Sequence, residues 1–130
     1  MNSCEKIYTG NFAKRSVMKD YLLIFRGGLD FSTATLDQLQ KAVGNWKSWI
    51  EELTKKGIYR GGERVIRTDA AVVDGASRKI ISGPYFANNE TVGGFIGIKA
   101  ENLAQAIEIT KDCPIFNFDG KVEVREVAVM

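Results

Sequence analysis

The side chains best suited to hold or work on a ligand cluster in residues 82–90, Ser-Gly-Pro-Tyr-Phe-Ala-Asn-Asn-Glu, with the pair Gly93-Gly94 just beyond. Ser82 can donate and accept a hydrogen bond but carries no charge. Tyr85 and Asn89 offer further polar contacts around the Gly83-Pro84 turn. Glu90 can accept a hydrogen bond, or act as a base if burial raises its pKa. Glu63, in "GGER", is the second candidate base. Arg26 ends an apolar stretch and is placed to clamp a carboxylate with two N–H groups.

Each of these has a plainer explanation. Proline presets the backbone and glycine permits a sharp turn, so Gly83-Pro84 is also a connection. A glutamate such as Glu90 more often pairs with Lys or Arg. Gly93-Gly94 equally permits close packing of two backbones. Arg26 fits an ion pair with Glu63 as well as a ligand clamp. Arg60, Arg64 and Arg67 read first as a solvated face and second as an anion site. Trp46 lies on the apolar stripe of a helix and is expected in the core. Trp49 is offset from that stripe and is expected to line a pocket or a subunit interface.

What the chain lacks also bounds its chemistry. It has no histidine, so the commonest general base and metal ligand is missing. Its two cysteines, Cys4 and Cys113, are far apart, which supplies no zinc set and no disulfide framework. They are expected reduced, with a single bridge as the alternative. Cys113, before Pro114, reads as a buried helix-end residue rather than a nucleophile. No metal and no organic cofactor is expected. The 18 basic and 16 acidic residues are interspersed, so no basic stripe argues for nucleic acid. No apolar run reaches the length of a membrane span, and residues 1–17 lack the apolar stretch of a signal peptide. We therefore expect a cytoplasmic protein with an N-terminal extension over 1–17 and one domain over 18–130.

The elements that would position these residues follow from periodicity. Residues 20–26, "DYLLIFR", form a strand with Tyr21, Leu23 and Phe25 on one face and Leu22, Ile24 and Arg26 on the other. A helix over 36–56 carries Leu36, Leu39, Val43, Trp46, Ile50 and Leu53 as an apolar stripe. Thr35 and Gln38 frame its start as a capping box, and Gly57 suits its left-handed stop. Residues 58–66 form a strand interrupted at Gly61-Gly62, where a bulge or close backbone approach is expected. Residues 70–73 and 79–82 flank Asp74-Gly75 as a hairpin. A strand over 93–99, a helix over 101–111 and an alternating strand over 121–127 complete the chain. The second helix is expected to bury Leu103, Ala106, Ile107 and Thr110.

This order is β-α-β, an inserted hairpin, then β-α-β, the split-βαβ plan of a ferredoxin-like α+β fold. It predicts an antiparallel sheet with two helices on one face. The other face carries Leu22 and Ile24, and an apolar face left open predicts self-association. The simplest closure is a two-fold homodimer, sheet against sheet.

From Lys19 to Val127 the chain resembles the YCII-related proteins, in the subgroup named for a DGPF motif. The resemblance rests on "YLLIFRGG", "WKSWIEELTKKG", "GGER", "SGPYFANNE" followed by "GGF", "AIEITKDCP" and "VEVREV", in that order. It implies a ferredoxin-like fold assembled as a dimeric α+β barrel. It implies little about activity, since most relatives have no assigned reaction and some look linked to bacterial sigma-factor systems. The motif's aspartate is Ser82 here, its phenylalanine is Tyr85, and the lysine before the glutamate is Asn89. The branch that looks to rely on a His–Asp pair cannot lend its chemistry to a chain without histidine.

Together these features favour a homodimer that binds a small anionic or aromatic ligand between sheet and helix. The alternatives are a cofactor-free enzyme, with Glu90 or Glu63 moving a proton, and an accessory protein of a transcription system.

Overall fold

The computed structural model describes residues 17–129. The extension expected over 1–17 therefore lies, except for Val17, outside the described residues. Strand β1 (Lys19–Arg26) organises the rest. Its alternation sends Tyr21, Leu23 and Phe25 into the core at 1%, 0% and 6% exposure, while Leu22, Ile24 and Arg26 stay half-buried on the opposite face. Helix α1 (Leu36–Lys55) follows, then β2 (Tyr59–Arg64), the hairpin β3 (Ala71–Asp74) and β4 (Lys79–Ser82), β5 (Val92–Ala100), α2 (Leu103–Thr110), a 3-10 turn (Pro114–Phe118) and β6 (Lys121–Glu126).

The main sheet has the order β2-β5-β1-β6, with every neighbouring pair antiparallel. This α+β arrangement is compatible with a ferredoxin-like fold. The hairpin β3–β4 forms its own two-stranded sheet, closed through a turn that starts at Gly75. Its Val73 and Ile80 are among the most exposed apolar side chains of the described residues.

α1 begins where its cap dictates. The Thr35 hydroxyl accepts from the Gln38 amide at 3.1 Å, and the Gln38 side chain accepts from the Thr35 amide at 3.0 Å. This reciprocal pairing satisfies two of the donors that a helix start leaves free. Gly57, at φ +74°, ends the helix, and its amide donates to the Thr54 carbonyl.

The apolar stripe of α1 overlaps its buried face only in part, through Leu53 and the half-buried Trp46 and Ile50. Ala42, Trp49 and Leu53 are buried, while Val43 is exposed and Trp46 half-buried. Trp49 is thus a core residue, in correction of the place expected for it, and Trp46 lies at the core's margin. The two tryptophans touch edge-to-face, with ring centroids 5.7 Å apart, and Phe25 meets Trp46 in the same way at 5.0 Å. α2 departs similarly. Ala106 and Thr110 are buried, but Leu103 and Ile107 are exposed.

β2 approaches β5 more closely than side chains would allow. A Cβ on Gly62 would run into the Phe95 carbonyl oxygen, and one on Gly94 would stand 2.5 Å from that of Glu63. The register between β2 and β5 shifts between Tyr59 and Gly62, and Gly61 takes φ +95° there. Both the bulge and the close backbone approach expected at Gly61-Gly62 are present.

Candidate functional site

The walls of one cleft are built from α1 and from β1, β2 and β5 of the sheet. α1 crosses the sheet with Ala42, Trp49 and Leu53 inward, which turns Val43, Trp46 and Ile50 toward the β2 edge. Phe25, Tyr59, Ile96, Ile115 and Phe118 complete the apolar lining. These walls enclose about 600 Å³, inside the roughly 300–1,000 Å³ range of small-molecule sites. The stripe on α1 is apolar because part of it faces this space.

Two chain segments form the mouth. One is the loop after β1, with Leu29, Asp30, Phe31 and Ser32; the other runs from Arg64 to Thr68. They meet through two contacts. The Arg64 guanidinium lies 4.8 Å from the centre of the Phe31 ring, a cation–π contact. Arg67 stands 3.7 Å from the Asp30 carboxylate. Asp30 is fixed by its own loop, because it accepts from the Ser32 hydroxyl at 2.7 Å and the Ser32 amide at 3.0 Å. Those bonds, with a smaller contribution from Arg67, hold the Asp30 carboxyl below its ordinary range. An acid so stabilised as the anion makes a poor proton acceptor.

Strand register sorts the charges at this mouth. Glu63 pairs with Phe95, and Arg64 pairs with Gly94, which also faces Phe25. Paired residues share a face. Arg64 is therefore directed to the helix side, over the cleft, and Glu63 to the open side of the sheet.

A second groove, of about 630 Å³, runs between residues 64–70 and the 84–92 loop. It gathers four of the sequence candidates, Arg26, Pro84, Tyr85 and Glu90. Two of its charges, Glu90 and Arg26, are already matched. Both Glu90 carboxylate oxygens accept from the Lys121 ammonium, each at 2.8 Å. Gly27, at φ +71°, leaves room for this carboxylate, since a Cβ there would come within 3.0 Å of it. Arg26 donates to Glu123 at 2.5 Å, which corrects the expected pairing with Glu63. Glu123 also accepts from Arg125 at 3.0 Å, and the two guanidinium bonds, Arg26's first, hold its carboxyl below the usual range.

The remaining candidates in the loop serve its backbone. Gly83, at φ +94°, donates its amide to the Ala70 carbonyl at 2.7 Å, extending the hairpin ladder one step past the exposed Ser82. Asn88 and Asn89 both take left-handed conformations, at φ 52° and 64°. Between them Ala87 and Glu90 exchange two backbone hydrogen bonds, of 2.8 and 2.9 Å. That is a two-residue turn of the primed type, for which Asn is among the few suitable residues. The buried Thr91 hydroxyl donates to the Tyr85 carbonyl at 2.8 Å and pins the loop from below.

The structure thus divides the candidates. Glu63, Gly93 and Gly94 border the cleft; Arg26, Pro84, Tyr85 and Glu90 border the groove; Ser82, Gly83, Asn89 and Trp49 line neither. The residues missed as cleft walls are Val43, Trp46, Ile50 and Tyr59. For Val43, Trp46 and Ile50 the signal was present in the apolar stripe of α1; Tyr59, on β2, carried none. Cys113 is buried, and burial pushes its thiol up to about 12, which leaves it a core residue with no nucleophilic character. No group of three or more Cys, Asp or Glu is gathered to hold a metal among the described residues, and none of their helices is long and apolar enough to cross a membrane.

The sequence model of the YCII-related domain matches residues 29–130. No curated protein matches the chain.

Proposed function

The chain belongs to the YCII-related domain family, and we propose that it acts as a small-molecule-binding protein whose site is the cleft between the sheet and α1. The observation that carries this reading is the pairing of a roomy apolar cleft with the lack of a usable base at it among the described residues. Of the two carboxylates that border the cleft, Asp30 is held ionised by Ser32, and Glu63 is directed to the opposite face of the sheet. Glu90, the other candidate base, spends both oxygens on Lys121. Binding is therefore favoured over proton transfer.

The same reading places the protein in the DGPF subgroup, on the strength of "SGPYFANNE" and the paired glycines. It is a cytoplasmic homodimer closed through the open sheet face, a dimeric α+β barrel. Leu22, Ile24 and Phe95 supply an apolar centre on that face, and the pairs Asp20–Lys99 and Arg26–Glu123 supply a polar surround. An apolar centre with a polar rim is the usual anatomy of a subunit interface.

The test combines a thermal-shift screen of small aromatic and aliphatic compounds with the variant Val43→Trp. Val43 borders the cleft and is exposed, so a larger side chain fills the space without disturbing the core. Compounds that raise the melting temperature of the native protein but not of Val43→Trp support the reading. A screen in which nothing binds, or binding indifferent to Val43→Trp, contradicts it. Sedimentation tests the assembly separately: two chains for the native protein and one for Ile24→Asp.

A further inference from the structure

The cleft has a chemical polarity that its apolar walls do not suggest. Its mouth carries two arginines on one segment, Arg64 and Arg67, three residues apart. Among the described residues neither has a close ion-pair partner. Arg64 rests on the Phe31 ring, and its register turns it over the cleft. A guanidinium stacked on a ring keeps the N–H groups of its edge available for an oxygen pair. Arg67 meets Asp30 at 3.7 Å with both side chains more than a third exposed, too long for a good hydrogen bond. Asp30 would not be stranded if Arg67 left it, because Ser32 supplies it with two shorter hydrogen bonds. Glu63, the remaining acid at the rim, is directed away from the cleft.

We infer that the cleft selects a planar aromatic carboxylate, with its ring between Trp46 and the β-sheet and its acid group at the mouth on Arg64 and Arg67. The inference rests on the binding function proposed above and names the ligand class for that site. The inner walls, Phe25, Trp46, Tyr59 and Phe118, offer ring faces and edges to a flat apolar body. Only the mouth can neutralise a charge. A planar acid end also matches the paired N–H groups of a guanidinium, which a lysine could not reproduce. Arg26, the clamp suggested by sequence, is taken by Glu123 and borders only the other groove, whereas Arg64 stands where cleft and groove meet. Arg64 and Arg67 fill that role at the cleft.

The experiment compares 2-naphthoate with its neutral counterpart 2-naphthamide, by calorimetric titration of the full chain. The native protein is expected to prefer the carboxylate by about tenfold, the equivalent of about 1.4 kcal/mol. Arg64→Gln and Arg67→Gln should each bring that preference down towards unity and leave the affinity for the amide within about twofold, which also shows that each variant is folded. Equal binding of the two probes by the native protein overturns the inference and leaves the binding cleft standing. A carboxylate preference that survives both substitutions overturns it as well, because another cation must then hold the acid. Binding of neither probe overturns this inference together with the reading beneath it.

Discussion

The cleft under α1 and the groove beside the Gly-Pro-Tyr loop are similar in size, at about 600 and 630 Å³, and opposite in character. The groove holds the residues that look reactive in sequence, and the fold has already used them. Glu90 is tied to Lys121 and Arg26 to Glu123, while the loop's Gly83, Asn88 and Asn89 meet backbone needs. The cleft holds residues that look like core, and the fold leaves them facing open space. A side chain's capacity for chemistry matters less than whether its neighbours have satisfied it. Matched charges hold a loop in place, whereas cations above an apolar wall that have no close ion pair among the described residues are available to something from outside.

The sharpest way to break this contrast uses the two tryptophans. Trp49→Ala should cost about 3–5 kcal/mol of stability, as removal of a buried aromatic does. Trp46→Ala should cost less than half as much, since its ring is only half-buried, yet abolish binding of aromatic ligands in the cleft. Urea denaturation and ligand titration of both variants read the two effects separately. Similar stability losses would erase the distinction between core and cleft wall.

A smaller effect is expected at the groove. Lys121→Ala frees Glu90, but the lysine side chain is 69% exposed, and an ion pair so placed contributes only about 0–1 kcal/mol. The variant should melt within a few degrees of the native protein and bind cleft ligands unchanged. A loss of binding would move the site from the cleft to the groove.

The smallest effect is a pH dependence. Arg26 and then Arg125 lower the pKa of Glu123 in the folded state. A depressed carboxylate pKa means the unfolded chain takes up the proton first. The stabilisation is therefore complete above the ordinary glutamate value of about 4.3 and is lost as pH falls from there through the lower folded value. Arg26→Gln should flatten the acid limb of a stability–pH curve by lowering stability slightly on the neutral side while leaving the acid end unchanged. An acid limb of unchanged slope would remove Arg26 as the main cause.

Much of the fold was legible because its signals are local. The Thr35–Gln38 capping box, the turn after Asp74 and the alternation of β1 each depend on residues within a few positions of one another. They fix the elements, and element order then leaves few topologies. The candidate site was less legible because its determinants are geometric. Trp46 and Trp49 differ by less than a full turn of helix, so a modest rotation of α1 decides which is core and which is wall. Arg26 finds Glu123 across 97 residues of chain, a pairing set by the β1–β6 register. Arg64 turns to the cleft only because the shift at Gly61 and Gly62 puts it opposite Gly94. The reading of Arg64 and Arg67 as an anion site stood second to a solvated face until that register gave them a common mouth.

The most direct test of the central claim is an amide chemical-shift map of the protein titrated with 2-naphthoate. Shifts are expected in residues 29–34, 43–50 and 62–68, the walls and mouth of the cleft, with 83–91 silent. Shifts centred on 83–91, with α1 unmoved, would place the site in the groove and contradict the account.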